Sequence, residues 1–145
     1  MAADLDPLIR LRKHAVDEKQ RVVAQLYREA ETLERQKKVV EDQMAEEKRL
    51  AEEMGRPEAI SFFTRYAEGA RKKIAALQAA IKRMEGRIEA AQEDMRAAFA
   101  EMKKVQITQA RRQEREAKTQ QKKEDDQMDE IALDQYRRKT LEDED

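Results

Sequence analysis

The sequence predicts an all-α fold, an antiparallel two-helix coiled-coil hairpin with a longer second helix overhanging the first. Three observations indicate this fold. The chain has 145 residues, of which 43% are charged and only 3 are Gly and 2 are Pro. These few turn residues do not suffice for a compact globular domain, and the abundant Ala, Glu, Lys, Arg and Gln favour helices. Apolar residues also recur at heptad spacing on both sides of a single strong break at Gly55 and Pro57.

The stretch after the break carries the clearest heptad pattern. Alternating steps of three and four residues meet only apolar side chains for many heptads, which is typical of a coiled-coil seam. The seam consists of Ile60, Phe63, Ala67, Ala70, Ile74, Leu77, Ile81, Met84, Ile88, Ala91, Met95, Ala98, Met102 and Val105. The next two seam positions are the polar Gln109 and Arg112, so we expect no intrachain partner beyond residue 106.

The stretch before the break has a weaker pattern with two tracks. One track is Ile9, Val16, Val23, Ala30, Lys37, Met44 and Ala51. The other is Leu5, Arg12, Lys19, Leu26, Leu33, Val40, Glu47 and Met54. Pro7 suits the first turn of this helix, and Asp6 is expected to cap it.

The break itself predicts a short turn between the helices. Gly55 suits the residue that follows a helix, and Pro57 restricts Arg56 and opens the next helix. A short connection makes the helices antiparallel neighbours. The predicted divisions are helix one over 1–54, the turn over 55–58, helix two over 59–107, an overhanging polar helix over 108–127, and an acidic tail with a short amphipathic segment over 128–145. The overhang is expected to fray towards its end.

Composition argues against enzymatic chemistry. The chain has no Cys and one His, His14, which we interpret as part of a solvated helix face, and it has no glycine-rich phosphate loop. A two-helix rod also offers no water-excluding pocket. We predict no enzymatic activity, no cofactor and no metal. Without a secretory signal or an apolar span, the protein is expected in the cytoplasm, with any membrane association only through partners.

Two surface features have alternative interpretations. Phe62 either lies exposed as part of a contact surface or is covered by residues 54–58. Gly69 and Gly86 lie outside the seam, so packing of the seam does not explain them.

The C-terminal part of the chain has two segments of opposite charge. The segment 111–123 has six bases and two acids, a net charge of +4, and 124–145 has ten acids and three bases, a net charge of −7. Such an end either docks electrostatically or is a solvated helix. The basic run lacks stacking aromatics, so we predict no nucleic-acid binding.

The opening "LIRLRKHAVDEKQRVVAQLYREA" and the segment "FFTRYAEGARKKIAALQAAI" resemble the first helix and the post-turn segment of the FliJ family of flagellar type III export proteins. The ending "KKEDDQMDEIALDQYRRK" resembles the family's C-terminal motif. The residues that match this motif are Met128, Asp129, Glu130, Ile131, Ala132, Arg137 and Arg138.

The resemblance implies a stalk of the flagellar export ATPase that promotes assembly of the ATPase hexamer, contacts the export-gate membrane protein and escorts export chaperones. It places Tyr66 and Ala70 in the gate-binding surface, and Phe62 joins them as a neighbouring aromatic. Lys73 and Leu77 depart from the family's small and polar residues there. The end that faces the ATPase ring would use Arg10, Arg12, Lys13, Arg111, Arg112 and Arg115.

Three rival interpretations differ from the stalk in what they predict. A generic coiled-coil adaptor or tether would form a dimer in solution, whereas a stalk can be a monomeric hairpin. A chaperone that binds only secretion substrates, or a stalk of a virulence-type secretion system, would share the same features. A nucleic-acid-binding helix would lose affinity steeply with salt.

Overall fold

The computed structural model describes residues 4–144 as two helices, α1 (Asp6–Met54) and α2 (Pro57–Glu144). Within this range there is no strand. The helices form an all-α helical hairpin in which α2 has 88 residues and α1 has 49. The predicted fold class is therefore confirmed, including the longer second helix.

The connection between the helices consists of Gly55 and Arg56. Gly55 has a φ of 64°, the left-handed conformation that Gly adopts without steric cost. Its N–H donates to the carbonyl oxygen of Ala51 at 3.2 Å and so satisfies a carbonyl at the end of α1. Pro57 is the first residue of α2, where a missing N–H costs nothing. The break therefore lies where Gly55 and Pro57 predict it, but the predicted turn over 55–58 is too long, because residues 57 and 58 already belong to α2.

The chain divides into two compact units, and one of them comprises His14–Phe99. Its core cluster joins Leu26 of α1 to Met84, Ile88 and Ala91 of α2. Partly buried apolar residues of α1 pack against this cluster, namely Val23, Ala30 and Leu33. These contacts arise because both helices present an apolar stripe at heptad spacing, and each stripe leaves water by packing on the other.

Three seam predictions in this unit are wrong. Lys19, Met54 and Ile60 are exposed, Met54 by 67% and Ile60 by 51%. Met54 ends α1 and Ile60 lies in the first turn of α2, so the connection rather than a facing helical turn is beside them. Lys19 keeps its ammonium in water, as long charged side chains do.

The other unit comprises residues 4–13 and 100–144 of the described chain. Met102 is buried there, and Leu5, Ile9 and Val105 are partly buried. The backbone N–H of Leu5 donates to Oε1 of Gln109 at 2.7 Å. Nε2 of Gln109 donates to Oδ1 of Asp6 at 2.5 Å. The expectation of no intrachain partner beyond residue 106 is therefore wrong, because an amide continues the seam by hydrogen bonding.

The start of α1 also differs from expectation. The carboxylate of Asp4, and not that of Asp6, accepts a backbone hydrogen bond at the helix start, from the N–H of Asp6 at 2.9 Å. Asp6 is already helical and its carboxylate accepts from Gln109 instead. The residue that satisfies the first helical N–H thus lies two positions earlier than expected.

The last part of α2 is a single helix in which every residue from 113 to 144 is exposed. The helix passes through residues 107 and 127 without a break. The predicted divisions at these positions rest on composition alone and stay predictions. The same holds for the expected fraying.

Candidate partner-binding surfaces

An open apolar hollow lies beside the connection in the unit 14–99. It has a volume of about 580 Å³. Its large apolar lining residues are Leu50 and Met54 of α1 and Phe62 and Phe63 of α2. Phe62 is 67% exposed, so residues 54–58 do not cover it, and its part in a contact surface stays a prediction. A large aromatic side chain held partly in water beside other apolar side chains is typical of a contact surface.

A second hollow of about 550 Å³ lies further along the same pair of helices. Val39 of α1 and Leu77 of α2 are among its apolar lining residues, and Arg35 and Lys73 are its charged ones. The two hollows differ in charge. The lining of the first includes the acids Glu47, Glu53 and Glu58 and one base, Arg56, whereas the lining of the second includes two bases and no acid.

The predicted gate-contact residues lie close to these hollows but differ in exposure. Phe62 is exposed, Tyr66 is partly buried and Ala70 is 8% exposed. Ala70 occupies the seam and packs between the helices, so its side chain offers little surface to a partner. A contact role for all three residues stays a prediction.

The α1 side of this surface was missed by sequence reasoning. Val39 is 54% exposed and Leu50 is 41% exposed, although both are apolar. Both residues lie off the heptad tracks. They are eleven residues apart, which is about three helical turns, so they lie on the same face of α1. The sequence offered one signal for this side of the surface, namely apolar residues beside the heptad tracks.

The predicted ring-contact residues all lie in the unit made of residues 4–13 and 100–144. The four exposed ones are Arg10, Lys13, Arg111 and Arg115. Arg12 and Arg112 occupy seam positions and are partly buried. Nε of Arg12 is buried without a hydrogen-bond partner in the described chain. The exposed bases are therefore the accessible part of this set.

The predicted C-terminal motif lies wholly on the exposed part of α2. Met128 and Ile131 are 67% and 53% exposed. The remaining motif residues are exposed as well, namely Asp129, Glu130, Ala132, Arg137 and Arg138. Tyr136 lies two turns after Met128 on the same face and is also exposed. Met128, Ile131 and Tyr136 thus form an exposed apolar stripe with charged residues beside it.

The described residues contain no group of three or more His, Cys, Asp or Glu side chains arranged to hold a metal ion. No helix within residues 4–144 combines the length and apolar character that crossing a membrane requires.

An ion pair in α1 shifts the pKa of one carboxyl group. Two hydrogen bonds from Arg49, and its charge, lower the pKa of Glu46.

Fold and surfaces together define a class of protein, an all-α helical hairpin with exposed apolar and basic side chains. Comparison of the chain with protein families gives a match to the Flagellar FliJ protein family over residues 1–141. The chain belongs to this family, which is a non-catalytic component of flagellar protein export. No curated protein and no solved structure matches the chain.

Proposed function

We propose that this protein is a coiled-coil stalk that binds the flagellar export ATPase, promotes assembly of its ring, contacts the export-gate membrane protein and escorts export chaperones. The family match over residues 1–141 carries this proposal, because it spans both compact units and the C-terminal motif. The protein acts in the cytoplasm and reaches the inner membrane only through these partners. It binds no nucleic acid.

Exposed bases support the contact with the ATPase ring. Arg111 and Arg115 lie one helical turn apart and are exposed, as are Arg10 and Lys13. The guanidinium group of an arginine can donate two parallel hydrogen bonds to one carboxylate of a partner. The ring would meet the unit made of residues 4–13 and 100–144.

The ATPase rate of the cognate export ATPase, titrated with this protein, tests the ring contact. We expect stimulation by the full chain and a loss of stimulation when the chain ends at Val105. The full-length double variant Arg111→Glu, Arg115→Glu should also lose stimulation. Arg83→Glu, Arg87→Glu is the matched control, since these residues have the same spacing and exposure in the other unit. Absence of stimulation and of binding by the unaltered chain would contradict the stalk mechanism.

The aromatic surface beside the connection supports the gate contact. We expect Phe62→Ala, Tyr66→Ala to weaken binding to the soluble cytoplasmic part of the export gate without lowering helicity measured by circular dichroism. Tyr136→Ala removes an exposed aromatic from the other unit and should leave this binding unchanged. A fall in helicity would assign Phe62 and Tyr66 to packing instead.

Chaperone escort is tested by pull-down of flagellar export chaperones with the full chain.

A generic adaptor or tether is the second candidate function, and the exposed apolar stripe of Met128, Ile131 and Tyr136 favours it. Such a stripe can join two copies. Light scattering separates the two candidates, because the adaptor predicts a dimer while the stalk requires none.

A further inference from the structure

A glycine lies in the middle of the surface that contains the two hollows. Phe62, Tyr66, Gly69 and Lys73 are spaced by four, three and four residues, so they form one row along α2. Phe62 lines the first hollow and Lys73 lines the second. Gly69 therefore occupies the part of α2 between the hollows.

Nothing within the described chain requires a glycine at this position. Gly69 is helical, and a β-carbon added to it would meet no atom within 4 Å. It is not needed for a turn, since it lies within α2 and, among residues 4–144, the glycine with a positive φ is Gly55. Gly is a poor helix former, so Gly69 lowers the stability of α2 without a gain in packing. A glycine on an exposed helix face allows another backbone to approach closely.

We propose that Gly69 is a close-approach position at which a segment of the gate partner packs directly against the backbone of α2. This inference rests on the gate contact proposed above and adds where and how the partner sits. The apolar side chains of the segment fill the two hollows on either side, between the row on α2 and Val39, Leu50 and Met54 of α1.

The charges of the two hollows define the partner segment and its direction. The hollow beside the connection has three acids and one base, whereas the second has Arg35 and Lys73 and no acid in its lining. The occupant is therefore an apolar segment with basic residues at one end and acidic residues at the other. Its basic end lies beside the connection and its acidic end lies near Lys73, since opposite charges favour this register.

Two glycine substitutions in the full-length protein test the close approach. Gly69→Ala and Gly86→Ala add the same methyl group to the same helix, and neither methyl meets an atom within 4 Å. Gly86 lies outside the row and lines neither hollow. Both variants should raise the thermal midpoint by about 2–6 °C, because Ala favours the helix.

Binding to the soluble cytoplasmic part of the export gate, measured by calorimetry, separates the two variants. We expect Gly69→Ala to bind roughly tenfold more weakly, since a methyl group would be forced into a packed interface, and Gly86→Ala to bind as the unaltered protein does. Lys73→Glu should also weaken binding, and Glu58→Lys should do so at the other end.

The possible outcomes distinguish this inference from the proposed gate contact. Equal binding by both glycine variants, with weaker binding by Phe62→Ala, Tyr66→Ala, would overturn the close approach and leave the gate contact standing. Lack of binding by the unaltered protein would overturn both. Stronger binding by Lys73→Glu would reverse the direction assigned to the segment.

Discussion

Gln92 of α2 donates a hydrogen bond from Nε2 to the hydroxyl oxygen of Tyr27 of α1 at 2.7 Å. This contact joins residues 65 positions apart beside the core cluster of the unit 14–99. It fixes the axial register of the two helices at that point, because a shift by one turn would separate the two side chains.

Removing the hydroxyl group of Tyr27 should therefore destabilise the hairpin modestly. We expect Tyr27→Phe to lower the free energy of unfolding by about 0.5–1 kcal/mol, the usual net value of one hydrogen bond. Urea unfolding followed by circular dichroism measures the change. Tyr136→Phe is the control, since Tyr136 is 70% exposed and its hydroxyl should contribute little. Equal effects of the two substitutions would contradict a role for the contact with Gln92.

Two isoleucines on the same predicted seam should respond differently to truncation. Ile88 is 9% exposed in the core cluster, and Ile60 is 51% exposed beside the connection. Ile88→Ala should cost about 2–4 kcal/mol through lost burial and the cavity left behind. Ile60→Ala should change stability by less than about 0.5 kcal/mol, as surface substitutions usually do. Urea unfolding measures the free energy of unfolding of both variants. An equal loss for Ile60→Ala and Ile88→Ala would contradict the difference in burial.

Gly55 should not tolerate a side chain. Its φ of 64° places an L residue in the left-handed region, which costs roughly 1–2 kcal/mol for a residue with a β-carbon. We expect Gly55→Ala to lower the thermal midpoint, although no atom within 4 Å would clash with the methyl group. Gly55→Asn should be milder, because Asn enters this region more readily. An unchanged midpoint for Gly55→Ala would mean that the connection adopts another conformation.

The pKa of Glu46 should be lower than its ordinary value of 4.5. Nη2 and Nε of Arg49 donate to its two carboxylate oxygens at 2.7 and 3.1 Å. A lowered pKa means that this pair stabilises the fold above the ordinary pKa of Glu46, and that the contribution is lost as the pH falls through the lowered pKa. NMR titration should show the pKa returning towards its ordinary value in Arg49→Gln. The same pKa in both proteins would remove Arg49 as the cause.

Much of the fold was predictable because heptad spacing and turn chemistry act locally. The spacing of Ile81, Met84 and Ile88 predicts a buried stripe, and Gly55 with Pro57 predicts a break, so these residues need little knowledge of their surroundings. The contact of Gln109 with Leu5 and Asp6 was not predictable in this way. A polar residue at a seam position can end the seam or continue it by hydrogen bonding, and only the facing residues decide which.

The candidate surface was predictable only on the α2 side. Adjacent aromatics signalled Phe62, because two facing helices cannot bury every side of an apolar pair. Val39 and Leu50 gave only the weak signal of apolar residues beside the heptad tracks, since isolated apolar residues on a helix surface are common. Their significance comes from the neighbouring helix, which places Phe62, Lys73 and Leu77 across the two hollows.

The fully exposed stretch of α2 over residues 113–144 has an energetic consequence of its own. A free peptide must first form a helical nucleus, an unfavourable step with a Zimm–Bragg constant on the order of 10⁻³. Here the preceding turns of the same helix, which include the buried Met102 and the hydrogen-bonded Gln109, supply that nucleus. Each further residue then only propagates the helix at nearly zero free energy. A partner that gains a few tenths of a kcal/mol per residue would therefore stabilise the helix over the whole stretch cooperatively, starting from its anchored end.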